Sequence, residues 1–336
     1  MVKLSGLMEC ILYSTMKIDS KNFCSDGFGF RAPVPYQVKG NEISIFFGKY
    51  ITPKFAEIYS VTLLFKYLEY DGICSSWEVS SFDNKPTVRA GDKQTYSENG
   101  IVPSCWIRHK HNGLLFTIGF SNLNQHYFNA ESGLVIFDEQ MKIIENLNGP
   151  VLSRSYEDPY WAASPFVIKN KGKKSYSMFY TSAYGTIRLA NGNTHHRYSI
   201  KKRTSIDLKN WHIELARNVI VPKNVTEYAI ARPTIIRLKG KYVMFYSKRE
   251  TIYSKDYLTF ISVSDNLEGW HNIEKPFRFF EKMSEYGCEC YAYPILHRER
   301  LLIFFNVHGY GKEGGYLYSI SINSFMEWIQ SNQALE

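Results

Sequence analysis

Apolar and polar positions along the chain repeat one arrangement five times: a proline, a short apolar run, a polar turn, then a run dense in aromatic residues. The segments are PVPYQVKGNEISIFFG from Pro33, VPSCWIRHKHNGLLFTIGFS around Pro103, SPFVIKNKGKKSYSMFYTS around Pro165, RPTIIRLKGKYVMFYSKR around Pro233 and YPILHRERLLIFFNVH around Pro294, the prolines standing 70, 62, 68 and 61 residues apart. A polar turn between two apolar runs of about six residues predicts a β-hairpin. Proline cannot donate to a ladder, so it belongs where the first strand of each hairpin begins. A weaker element follows in most copies, an alternating strand and a Ser/Asp turn ending on Trp77, Trp211, Trp270 or Trp328; the copy at LVIFDEQMKIIEN has lost its Trp.

Four strands per unit and five units predict an all-β chain, a single five-bladed β-propeller of four-stranded blades spanning residues 1–336. The segment MECILYSTM is the candidate to complete the last blade and close the ring. A β-sandwich or two β-domains is the competing architecture, against which the even spacing and the lack of a Gly/Ser-rich linker weigh. The 16% aromatic content, with 25 Tyr and 22 Phe, favours strands over helices.

Charge changes the picture little. The 40 Lys and Arg are scattered among 32 acids, for a net +8, with no basic run of the kind that marks a nucleic-acid binder; a basic funnel for an anionic ligand stays open. The six cysteines, at 10, 24, 74, 105, 288 and 290, lack paired metal spacing. No metal or cofactor is expected, and the thiols suit a reduced, cytoplasmic setting. The N-terminus lacks a signal-peptide cleavage site and no apolar run reaches bilayer length, so a soluble protein is expected.

In a propeller the innermost strands start beside the central channel, so residues just upstream of the repeating prolines should converge there. Five to seven residues before each proline stand Asp26, Glu98, Asp158 (beside Glu157), Glu227 and Glu289. Such a ring of acids needs cations, for which Arg31, Arg232, Arg154 and Arg249 are candidates. Separated carboxylates are what glycosidic chemistry uses, one protonating the leaving oxygen and another activating water or attacking the anomeric carbon. Glu289, among the small and aromatic residues of GCECYAYP, is the candidate general acid, with Asp158 and Glu98 completing the catalytic set. Substrate contacts are expected from Arg31, Arg232, Arg249, Glu227, His196, Arg197, Asn306, His308 and Tyr310. The bland alternatives are solvated loop acids, turn caps and hairpin glycines. Trp161, Tyr160, Tyr228 and Tyr291 suit either stacking on sugar faces or the core.

SRSYEDPYWAASPFVIKN, HHRYSIKKRTSIDLKNW, ARPTIIRLKGKYVMFYSKR and CECYAYP with FFNVHGYGKEGGYLY resemble the five-bladed propeller glycosidases related to arabinanase/xylosidase and invertase/levanase, in the branch encoded with bacterial surface-polysaccharide genes. The resemblance runs from about residue 24 to 320. It implies three acids from different blades: a base or nucleophile, a tuning Asp and a general-acid Glu. Glu289 and Asp158 match two of the motifs. Two others depart: SDGFGFRAPVPY carries Arg31 near where the family has Asp-Pro, and ARP lacks the Asp of Arg-Asp-Pro. Either the acids are rebuilt from Glu98, Asp158 and Glu289, or the chemistry is not hydrolysis. The expectation is an enzyme of surface-polysaccharide (O-antigen or capsule) biosynthesis acting on a glycoside or nucleotide-linked, anionic sugar. A non-catalytic carbohydrate-binding propeller or partner scaffold is the alternative.

Overall fold

The computed structural model describes residues 13–19, 29–52, 54–67, 74–122, 128–212, 214–254, 256–280, 287–312 and 314–333. After β1 (Tyr13–Ile18) the strands fall into antiparallel groups: β2 (Arg31–Lys39), β3 (Glu42–Thr52), β4 (Phe55–Tyr67) and β5 (Cys74–Phe82); β6 (Ile101–His109), β7 (Asn112–Ser121), β8 (Asn129–Phe137) and β9 (Ile143–Asn146). Next come β10 (Trp161–Lys169), β11 (Tyr176–Arg188), β12 (Thr194–Ser205) and β13 (Arg217–Ile220), then β14 (Ala229–Leu238), β15 (Lys241–Arg249), β16 (Leu258–Ser264) and β17 (His271–Phe277). The last group is β18 (Cys290–His297), β19 (Arg300–Asn306) and β20 (Gly315–Ser321), with β1 along its outer edge. The three groups from β6 to β17 touch through single parallel pairs, Ala162 with Glu131 and Tyr198 with Ala229.

The expected hairpins all form, β2 on β3, β6 on β7, β10 on β11, β14 on β15 and β18 on β19. Two of their turns, Lys239-Gly240 and Arg298-Glu299, have both residues at positive φ, the backbone twist that suits a two-residue hairpin. The second strand of each group is apolar on both faces because it is sandwiched. Phe46, Phe116, Phe179, Phe245 and Phe304 occupy the same place in the five copies and are fully buried, each contributing about 1.5–3 kcal/mol. An outer strand such as β5 instead mixes half-buried and exposed positions after its buried first residue, Cys74.

Residues 13–16 of MECILYSTM belong to β1, which pairs with β20 from Tyr13 opposite Ile320 to Ile18 opposite Gly315; residues 8–12 lie outside the described residues. Because β1 holds the outer place, the chain after β20 has no strand to pair with and coils into α1 (Ile322–Gln333), so Trp328 sits on a helix rather than at a strand end. Ser321 Oγ accepts from Ser324 N–H at 3.1 Å at the start of α1. Phe325, Met326 and Ile329 face the core, and Trp328 meets Phe277 edge-on at 4.9 Å. No described helix is long and apolar enough to cross a membrane.

One irregularity recurs where it matters for a site. The first strand of each group loses register with the second at Arg31/Val34, Pro103/Cys105, Ala163/Phe166, Ala231/Thr234 and Cys290/Tyr293. Ala32, Ser164, Arg232 and Tyr291 in these bulges have φ of 56°, 56°, 57° and 59°. A bulge leaves a residue out of the ladder, which is why the repeated proline, with no N–H to give, is tolerated in or beside it. Three bulges are pinned from the preceding group. Asn306 Oδ1 accepts from Ala32 N–H at 2.8 Å, Thr181 Oγ1 from Arg232 N–H at 2.9 Å, and Ser247 Oγ from Tyr291 N–H at 3.0 Å. Asn306, Thr181 and Ser247 are equivalent positions of the repeat, two residues beyond the buried phenylalanine.

Candidate functional site

The bulged strands surround a central cavity of about 130 Å³, room for roughly four water molecules. Arg31, Arg232, Trp161, Phe128, Tyr257 and Tyr291 are among its walls, and no carboxylate lines it among the described residues. Arg232 is buried, donating to the Pro103 carbonyl at 3.0 Å and lying 5.0 Å from the centroid of the Tyr291 ring. Arg31 donates to the Tyr50 hydroxyl and lies 5.6 Å from the Phe120 ring. Burial lowers the Arg232 pKa to about 10; the Arg31 charge pushes the same way, against Tyr291. Around Arg31 burial also opposes the charge, but the neighbouring Tyr50 and Tyr291 outweigh it and leave its pKa above the ordinary value. Two guanidinium groups thus share one aromatic pit without an acidic partner among the described residues.

The acids expected there are elsewhere. Asp158 is fully buried in the wall of its own group, accepting from Lys201 Nζ at 3.2 Å, Tyr180 hydroxyl at 3.1 Å and Arg203 Nη2 at 3.4 Å. Glu157 beside it holds Arg203 Nη2 at 2.6 Å and the Ala216 N–H at 2.8 Å. The period of two along β12 explains the network: Lys201 and Arg203 reach Asp158 from one face, while Lys202 reaches Glu268 on the other at 2.5 Å. Glu289, also fully buried, receives Arg278 through Nε at 3.0 Å and Nη2 at 2.5 Å and the Phe279 N–H at 2.7 Å. Glu227 pairs with Lys248 at 3.0 Å and accepts from Lys223 N–H at 2.7 Å. Glu98 accepts from the N–H groups of Gln94 at 2.8 Å and Asn122 at 3.2 Å, which hold its pKa below the usual carboxylate range. The expected convergence of Glu98, Asp158 and Glu289 on the funnel is therefore corrected: Asp158 is neutralised by cations of its own group, Glu289 by Arg278 just beyond β17 of the preceding group, and Glu98 is held by backbone N–H groups of its loop, so none of the three lines the cavity. Asp26 lies outside the described residues.

The remaining candidates divide. Arg249 lies behind the cavity wall, its guanidinium 4.3 Å from the Tyr257 ring centroid and donating to the Tyr228 and Tyr310 hydroxyls at 3.2 and 2.6 Å. Burial raises the Tyr310 pKa to about 12, with Arg249 opposing. His196 stands near the mouth: its Nδ1 accepts from the Trp161 indole at 2.7 Å, which puts the neutral ring's proton on Nε2, and burial lowers its pKa. Phe128 and Tyr160 flank it with ring centroids 6.1 and 4.9 Å away. Arg197 donates to the Asn224 and Glu227 carbonyls at 3.3 and 3.4 Å and so ties a loop instead of facing the cavity. Asn306 is likewise corrected from substrate contact to structural pin. Besides holding Ala32, its Nδ2 donates to the Phe30 carbonyl at 2.8 Å and the Gly314 carbonyl at 3.4 Å. The His308 side chain lies outside the described residues.

Sequence reasoning missed Tyr50, Tyr198, Tyr257 and Thr181. Thr181 was detectable from its repeat position; the tyrosines sat in runs that read equally well as core. The missed cations had a signal too, since KKR inside a strand bounded by apolar residues demands buried acids in reach. Cys74, Cys105, Cys288 and Cys290 are buried free thiols. No group of three or more potential metal ligands occurs among the described residues. A larger cleft of about 800 Å³ opens at the opposite ends of the strands, beside Asn170 and Arg237, but its buried cations Lys202 and Arg203 are already paired.

No family model matches the chain, and no curated protein sequence does. Solved structures do match in fold. BT0996, in its complex with RGII, is 13% identical with a TM-score of 0.61, over 95% of each protein. An endo-arabinase from Bacteroides thetaiotaomicron is 13% identical with a TM-score of 0.59, over 91% of this chain and 96% of that one. The GH32 β-fructofuranosidase of Bombyx mori is 14% identical with a TM-score of 0.55, over 87% of this chain and 61% of that one. The chain therefore shares the propeller-like fold of these glycosidases.

Proposed function

We propose that this chain is a carbohydrate-active, five-bladed propeller, its ring closed by β1, that seats an acidic sugar in its central cavity. The observation that carries the reading is the pairing of half-buried Arg31 with buried Arg232 in an aromatic pit with no carboxylate among the described lining residues. Uncompensated buried cations are costly, and an anionic ligand supplies the missing charge. Trp161 and Phe128 offer the apolar faces against which a sugar ring stacks. Recognition is favoured over hydrolysis, because the pairing of Asp158 and Glu289 suits bracing the walls better than flanking a scissile bond. The buried thiols fit a reducing compartment. With the family resemblance, this points to handling of an acidic sugar, free or nucleotide-linked, during surface-polysaccharide assembly in the cytoplasm.

Calorimetric titration with a panel of hexuronic acids and the matching neutral hexoses tests the reading. The acids are expected to bind at least tenfold more tightly, and Arg31→Gln and Arg232→Gln to close that gap. Equal affinity for acid and neutral sugars in the native protein would sink the proposal. Cleavage of a glycan panel, followed by mass spectrometry, would return the carboxylates to a catalytic role.

A further inference from the structure

Behind the cavity wall that carries Arg232, in contact with its lining residue Tyr257, lies a second guanidinium, that of Arg249. Arg232 lies over Tyr291 at 5.0 Å and Arg249 over Tyr257 at 4.3 Å, and the rings of Tyr257 and Tyr291 are themselves 6.2 Å apart. Tyr310 bridges the two, its ring 5.9 Å from Tyr291 and 6.1 Å from Tyr257. Arg249 is only 8% exposed, yet the acceptors for its terminal nitrogens are phenols, and its Nε has no hydrogen-bond partner among the described residues. A buried guanidinium held by neutral oxygens, with a donor left over, is short of an anion. The two phenols differ in what they have left. Tyr228 gives its proton to the Ser254 carbonyl at 3.2 Å, whereas the Tyr310 hydroxyl only accepts from Arg249 among the described residues and keeps its proton to donate. Guanidinium N–H and phenol O–H together present donors from two directions, which suits the three oxygens of a phosphoryl group better than the planar fork of a carboxylate.

We propose that Arg249 and Tyr310 form a second anion seat beside the first, so that the ligand is a sugar bearing two anionic groups: a carboxylate at Arg31 and Arg232, and a phosphoryl group at Arg249. This rests on the acidic-sugar reading above. The phosphoryl group of a sugar 1-phosphate and that of a nucleotide-linked sugar share this chemistry, and the binding arms separate them.

The experiment titrates the full chain with glucuronic acid, galacturonic acid, their 1-phosphates and their uridine diphosphate forms. A 1-phosphate is expected to bind at least tenfold more tightly than its parent uronic acid, and Arg249→Gln to bring it down to the parent's affinity. Tyr310→Phe, which keeps the ring and removes only the donor, is expected to lose at least threefold on the phosphorylated sugar; this variant serves if a thermal melt shows Arg249→Gln to be unfolded. A gain shared by the uridine diphosphate forms assigns the phosphoryl group to a nucleotide-linked sugar, and a gain confined to the 1-phosphates assigns it to a monoester. Uronic acids that bind while phosphorylation adds nothing overturn the second seat and leave the first reading standing. Failure of every acidic sugar to bind overturns the reading beneath it.

Discussion

Replacing Asp158 by Asn separates a bracing acid from a catalytic one. The substitution keeps size and the hydrogen bond from the Tyr180 hydroxyl, and removes only the charge facing Lys201 at 3.2 Å and Arg203 at 3.4 Å. Removing one member of a buried ion pair costs about 3–5 kcal/mol, because the partner is left uncompensated. The low end applies, since Glu157 still holds Arg203 at 2.6 Å and its backbone carbonyl still accepts from Lys201. For 336 residues, an unfolding entropy of about 2.1 cal/mol/K per residue gives roughly 0.7 kcal/mol/K, so a loss of about 3 kcal/mol lowers Tm by about 4 °C. Differential scanning calorimetry reads the shift, and titration with a hexuronic acid should return the native affinity within about twofold. An unchanged Tm, or a native Tm together with a sugar reaction abolished by the substitution, would refute the bracing role.

Glu289→Gln should behave alike, lowering Tm by several degrees through the loss of its paired Arg278 and leaving uronic-acid affinity intact. Asn306→Ala leaves the Ala32 N–H and the Phe30 and Gly314 carbonyls without their partner and should cost about 2–4 kcal/mol by denaturant melt. Affinity for a hexuronic acid should fall as the pH rises through about 10, where Arg232 loses its proton in the folded state; the Arg232→Gln variant should lose that alkaline limb when titrated by calorimetry across pH 8–11.

Most of the architecture was legible because strand periodicity is local. A proline, six apolar residues and a turn fix a hairpin without reference to the rest of the chain, and five copies fix how many hairpins must pack together. The N-terminal strand was legible for a different reason, since a ring of repeats calls for a strand from the other terminus to complete its last unit, and β1 does pair with β20. The site was read less well because neutralisation is not local. Asp158 meets Lys201 and Arg203, 43 and 45 residues away, and no rule of spacing distinguishes an acid that faces its own wall from one that faces the axis. The arginines were found because they stand in or beside bulges that turn them toward the axis, and the repeat marks those bulges with proline. Asn306 was misassigned because a polar residue at the end of an apolar strand suits a ligand contact as well as a pin; only comparison with Thr181 and Ser247 in register favours the pin.

Three pins run from one sector into the next: Thr181 secures the backbone that carries Arg232, Ser247 secures Tyr291, and Asn306 secures the turn beside Arg31. Cavity-lining side chains and the hydroxyl or amide that keys them into place therefore belong to different modules. A graft that imports one repeat from a relative would carry its guanidinium but leave the key behind, so specificity in this scaffold must be transplanted as overlapping pairs of adjacent repeats.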